Sequence, residues 1–168
     1  CKELLAPPNL VKLRAGWAEP ACLVQLQAKA SLRSLGLHLD EEEAAAGAAA
    51  LGRLTQLTQL RLGSTEYVDQ GLLAGVCTAV ASLTGLQSLG VEHEVLGQLD
   101  MRPLAALTRL EVDMVSSQPY GGRRIQALLQ RVAPVRGTLR ELLLWGCCEE
   151  EADVWRSAAR ALLRGTAA

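Results

Sequence analysis

The sequence lacks an excess of charge of either sign. Its 168 residues carry 17 Lys and Arg against 18 Asp and Glu, a formal net charge of −1, so no overall basic field draws it to nucleic acid or to an anionic membrane. It also lacks any run of 18 apolar residues uninterrupted by charge, which leads us to expect no membrane insertion. The opening Cys1-Lys2-Glu3-Leu4-Leu5 has neither the basic start nor the apolar core of a signal peptide; with Cys rather than Met at its head, the chain reads as a processed chain or a fragment of a longer protein. Regular cysteine spacing is missing too. Cys1, Cys22, Cys77, Cys147 and Cys148 are odd in number and irregularly placed, a usage that predicts reduced thiols in an intracellular, most simply cytoplasmic, setting.

Signatures of catalysis are absent as well. There is no nucleophile elbow, phosphate loop or HExxH helix, and His38 and His93 have no Ser or Cys at a motif spacing. Cys147-Cys148 is not a CxxC pair and has no second half-site, so a metal is not expected. The reading is of a non-enzyme that needs no cofactor.

What is present is a repeat. With 49% hydrophobic and 21% charged residues, the chain has the composition of a folded protein, and its length suits one domain. The pattern LxxLxL, with Val allowed last, begins at Leu32, Leu57, Leu86, Leu107 and Leu139, in steps of 25, 29, 21 and 32 residues. Leu54, Leu83 and Leu104 lengthen three copies to LxxLxxLxL, and LTQLTQLRL, LTGLQSLGV and LAALTRLEV agree at polar as well as apolar positions. A degenerate earlier copy lies around Leu10 and Leu13.

On these motifs the chain resembles leucine-rich repeat proteins over roughly residues 32–145. The resemblance implies an α/β solenoid with a concave parallel sheet and outer helices of unequal length, filling one domain over 1–168. The sequence departs from the family's pattern where Asn or Cys is usual three residues after the last apolar position. Here stand Asp40, Thr65, Glu94, Val115 and Cys147, of which only Cys147 matches, so no asparagine ladder is expected. Val68-Asp69-Gln70-Gly71-Leu72 is somewhat similar to the helix start of the cysteine-containing repeats of F-box proteins.

The periodicity supports the same picture. In LxxLxL the last two apolar residues are two apart, the period of a strand, and face one core. Between strands, Asp40 with Glu41, Glu42 and Glu43 suits a helix start ahead of 44–54. Leu72, Leu73, Val76 and Val80 recur at helical spacing, as do Ile125, Leu128, Leu129 and Val132, a stripe that Pro134 ends. Gly121-Gly122 and Pro119 mark a loop of the longest repeat. The 21-residue step, broken by Gly97 and Pro103, leaves room for a short helix or an extended link. A closing helix over about 149–164 begins at Glu149, Glu150 and Glu151 and carries Arg156, Arg160 and Arg164 later, as the helix dipole favours.

The register also fixes which residues point away from the core. They are Ser34, Gly36 and His38; Gln59, Arg61 and Gly63; Ser88, Gly90 and Glu92; Arg109, Glu111 and Asp113; Glu141, Leu143 and Trp145. Arginine and tryptophan are common interface anchors, which makes Arg61, Arg109 and Trp145 the first binding candidates, with Glu92, Glu111, Asp113 and Glu141 around them. The alternatives are a solvated face on which Arg109 pairs with neighbouring acids, and a Trp145 covered by a terminal cap. The expected role is a protein-interaction module or scaffold, plausible as a subunit of a larger assembly. Two others stay open: substrate recognition for an F-box type ubiquitin ligase, and an auxiliary RNA contact through Arg123-Arg124 and the final arginine stripe.

Overall fold

A short motif that closes a tight turn and then enters a strand can be stacked on copies of itself. In the computed structural model, which describes residues 9–17, 20–39, 44–64, 70–114, 122–146, 153, 157, 159 and 160, this motif is LxxL. The N–H of its second leucine donates to the carbonyl three residues back, from Leu57 to Leu54, from Leu86 to Leu83 and from Leu107 to Leu104, each at 3.0 Å. The next two N–H groups then clamp one carbonyl of the preceding repeat. Thr58 and Gln59 donate to Arg33 O, Gln87 and Ser88 to Thr58 O, and Thr108 and Arg109 to Gln87 O, all within 2.8–3.0 Å. The long form LxxLxxLxL is thus one such turn running into a strand.

Among the described residues six strands follow from this: β1 (Lys12–Trp17), β2 (Ser34–Leu39), β3 (Gln59–Ser64), β4 (Ser88–Glu92), β5 (Arg109–Asp113) and β6 (Glu141–Trp145). All neighbours are parallel and the order in the sheet is the order in the chain. Parallel neighbours need a crossover connection. It is supplied by α1 (Pro20–Leu26), α2 (Ala44–Leu51), α3 (Gln70–Ser82), α4 (His93–Gln98) and α5 (Gly122–Val132), each packed on the next. The helices run from six to thirteen residues.

One level of the core is a row of leucines in register, Leu13, Leu35, Leu60, Leu89, Leu110 and Leu142. From Leu35 to Leu110 they are at most 3% exposed, and each such burial contributes about 1.5–3 kcal/mol. Together with Leu32, Leu54, Leu57, Leu83, Leu86, Leu104 and Leu107 they belong to one continuous apolar cluster. No polar or charged side chain is buried among the described residues.

Several particulars differ from the sequence reading. The degenerate copy near Leu10 and Leu13 is a full strand, although an irregularity between Arg14 and Trp17 sets three residues of β1 against two of β2. The short step, by contrast, holds a short helix, the first of the two expectations for it: the six-residue α4, with Val95 and Leu96 buried. Gly122 opens α5 rather than extending the loop, and α5 passes into a 3-10 turn at Ala133–Val135 that contains Pro134. Cys22 is disulfide-bonded, which corrects the reading of all the cysteines as reduced thiols and removes that support from a cytoplasmic setting. Cys77 is a buried free thiol. No helix among the described residues is long and apolar enough to cross a membrane. Of the closing helix, the described residues Asp153, Ser157, Ala159 and Arg160 are helical. The caps read at Asp40 and Glu41–Glu43, the Val68-Asp69 start and Cys147-Cys148 lie outside the described residues.

Candidate functional site

The helices pack on one side of the sheet, so the strand residues between the core leucines form the other face. In-register pairing sorts them into rows across the strands. The row at the strand starts is Lys12, Ser34, Gln59, Ser88, Arg109 and Glu141; the middle row is Arg14, Gly36, Arg61, Gly90, Glu111 and Leu143. Near the strand ends His38 stands beside Gly63, and Glu92, Asp113 and Trp145 are consecutive neighbours.

From Arg14 to Glu111 the middle row alternates long side chains with glycine, and the glycines accommodate the arginines. A Cβ on Gly36 would sit 3.2 Å from Arg14 Cγ, and one on Gly90 would sit 3.1 Å from Arg61 Cγ. Each arginine therefore lies flat over the next strand. Crossing Gly90, Arg61 Nη1 donates to Glu111 Oε2 at 2.9 Å. At the end row the same device recurs more tightly, for a Cβ on Gly63 would come within 2.7 Å of His38 Cε1.

Glu111 also accepts from Arg109 Nε and Nη2 on its other oxygen, at 2.9 and 2.7 Å, and Arg109 Nη1 donates to Glu141 Oε2 at 2.9 Å. Arg61, Glu111, Arg109 and Glu141 are thus one chain of alternating charge over three strands and the gap of a fourth. Hydrogen bonding to Glu111 is the largest cause of the raised pKa of Arg109. The structure so places the expected pairing of Arg109 with neighbouring acids. Pairing and exposure coexist, since the Arg61 side chain is still 56% open to solvent. Trp145, one strand from Asp113, is 53% exposed.

Two adjoining hollows of about 500 and 510 Å³ lie on this face. Toward the strand ends, the first is lined by Arg14 and Arg61 against Glu92, Glu111 and Asp113, with Trp145 at its margin. The second lies toward the strand starts and gathers Lys12, Arg14, Arg61, Arg109 and Arg140 against Glu111 and Glu141. All seven residues singled out in the sequence, Arg61, Glu92, Arg109, Glu111, Asp113, Glu141 and Trp145, line one hollow or the other. Among the described residues no group of three His, Cys, Asp or Glu stands together as a metal site.

No protein-family model matches the chain, and no curated protein matches it in sequence. Its fold is similar to a solved structure, the tropomodulin C-terminal domain of Caenorhabditis elegans. The TM-score is 0.62 over 89% of this chain and 93% of that one, at 12% identity. At this identity the likeness is one of architecture: a leucine-rich-repeat-like parallel-sheet fold.

That architecture shows what the sequence reading missed. Leu10-Val11-Lys12-Leu13-Arg14-Ala15 is the LxxLxL pattern with Ala in the last place, and Leu13 pairs with Leu35. Extending the repeat one copy earlier places Lys12 and Arg14 on the outward face. Both are exposed, and neither forms an ion pair with a described residue. Arg140, one residue before β6, shares both properties.

Proposed function

We propose that the chain is a non-catalytic protein-interaction module that receives a partner on the outward face of its sheet, the concave side of a repeat solenoid. The observation that carries this reading is the condition of that face. Trp145 is half-exposed at one of two adjoining hollows whose long side chains are already held flat by glycine gaps and by an ion-pair chain. Side chains ordered beforehand lose little freedom on binding, and an exposed tryptophan beside a charged rim is the composition of an interface hot spot. Scaffolding within a larger assembly is the use most in keeping with a stack of repeats that presents one continuous surface.

The test is affinity capture from cells that express the protein, with three versions of the chain. Trp145→Ala combined with Arg61→Gln alters the proposed face. Arg131→Glu alters the exposed side of α5, on the helix layer. A specific partner lost with the first variant and kept with the second supports the reading. Loss with Arg131→Glu alone moves the interaction to the helices and overturns it.

A further inference from the structure

The face is not electrically uniform, and its asymmetry runs along the strands. Because all six strands are parallel, every strand start lies on one side of the sheet. Among the described residues the hollow there has five cations, Lys12, Arg14, Arg61, Arg109 and Arg140, against Glu111 and Glu141, an excess of three positive charges. In the hollow at the strand ends Glu92, Glu111 and Asp113 outnumber Arg14 and Arg61 by one. Arg61 and Arg109 are spoken for by Glu111 and Glu141. The uncompensated charge therefore rests on Lys12, Arg14 and Arg140, at opposite edges of the sheet.

Between those edges the strand-start row presents neutral hydrogen-bonding side chains, Ser34, Gln59 and Ser88. From β1 to β6 are five strand spacings, about 24 Å at about 4.8 Å each. An extended peptide covers that distance with about seven or eight residues. Among the described residues no aromatic one lines this hollow, since Trp145 belongs to the other, so nucleic-acid bases find no described ring there to stack on.

From this we infer that the strand-start half of the face binds an extended acidic protein segment that crosses the strands, its carboxylates set toward Lys12 and Arg14 at one edge and Arg140 at the other, and its backbone over Ser34, Gln59 and Ser88. The inference rests on the interaction reading above and names the chemistry of the partner.

It is tested by fluorescence anisotropy at low and moderate salt with the whole chain. The probe is an eight-residue peptide with two glutamates at each end of a Ser/Gly centre. Its comparators are the same peptide with glutamines for the glutamates, and an eight-nucleotide oligouridylate. The acidic peptide is expected to bind at least tenfold more tightly than the glutamine peptide. Single variants Lys12→Gln, Arg14→Gln and Arg140→Gln are expected to weaken it about two- to fivefold each, as exposed charge contacts do, and the triple variant at least tenfold. Equal binding of the acidic peptide by wild type and triple variant overturns the inference. So does tighter binding of the oligouridylate than of the peptide, which would make this half of the face a nucleic-acid contact. A cellular partner that is lost with Trp145→Ala but unaffected by the triple variant leaves the interaction reading standing and removes the acidic segment.

Discussion

On the helix side of the sheet the six strands present Leu13, Leu35, Leu60, Leu89, Leu110 and Leu142 in one row; on the other side they present Arg14, Gly36, Arg61, Gly90, Glu111 and Leu143. The first row is one residue type six times, because each repeat must fill the same space between the sheet and its helices. In the second, long and absent side chains alternate from Arg14 to Glu111, and the absences matter as much as the charges. Repetition builds the stack, and departure from repetition on the opposite face individualises it.

The comparison is broken most severely at the leucine row. Leu110 is fully buried between β4 and β6, and Leu110→Ala is expected to cost about 2–5 kcal/mol in urea denaturation, from lost burial and from the cavity it leaves. Leu142 is in the same row but on β6, where it is only half-buried. There the same change is expected to cost about 1 kcal/mol. Equal costs at the two sites would mean that the last strand is as tightly enclosed as the central ones.

The helix layer offers a pH handle. Cys77 on α3 is buried, its Sγ 3.5 Å from Val95 O, and burial pushes the thiol from 9.0 up to about 11. Unfolded, the thiol ionises near pH 9; folded, it stays protonated until about pH 11. In that interval the unfolded state binds fewer protons, so the thiol's contribution is whole below pH 9 and is lost as pH rises toward 11. Denaturation series on wild type and Cys77→Ala are therefore expected to converge over this window. A constant difference from pH 8 to 11 would mean that the thiol ionises as freely folded as unfolded.

These contrasts also explain what the sequence made legible. Strands β2 to β6 and the core row could be read because a leucine at a fixed spacing has a single use, to face the core. The outward register of Arg61, Arg109, Glu111 and Trp145 followed by subtraction. Lys12 and Arg14 escaped because the first repeat ends in Ala15 where the others have Leu or Val, and because β1 carries an irregularity after Arg14. The reach of Arg61 to Glu111 was also hidden. The two are 50 positions apart in the chain and separated by a whole strand, and only the missing side chain at Gly90 joins them. A glycine in a strand read alone signals a weak strand; read against its in-register neighbour it signals room for that neighbour.

Filling such a gap tests this directly. Gly63→Val would bring a Cβ to within 2.7 Å of the His38 ring, and the ring must rotate away. The expected cost is about 0.5–1.5 kcal/mol, that of an off-rotamer side chain. In a His38→Ala background the clash is gone and valine suits a strand, so the same substitution is expected to be neutral or stabilising. A cost that persists without His38 would place the strain in the backbone instead.

The finest test uses Gly90. A double-mutant cycle on Arg61→Ala and Glu111→Ala is expected to give a coupling of about 0.2–0.5 kcal/mol, modest because the arginine is exposed and because Glu111 also serves Arg109. Repeating the cycle with Gly90→Val adds a branched side chain where a Cβ alone already stands 3.1 Å from Arg61 Cγ. The arginine stem is lifted off β4 and its guanidinium loses the reach to β5, so the coupling is expected to fall to zero within error. Overall stability should change little, since valine is a good strand residue. Loss of coupling without loss of stability would assign Gly90 to the face's recognition geometry rather than to the fold. A coupling that survives the valine would show that Arg61 reaches Glu111 by another path, and that the alternation of arginine and glycine is incidental to the ion-pair chain.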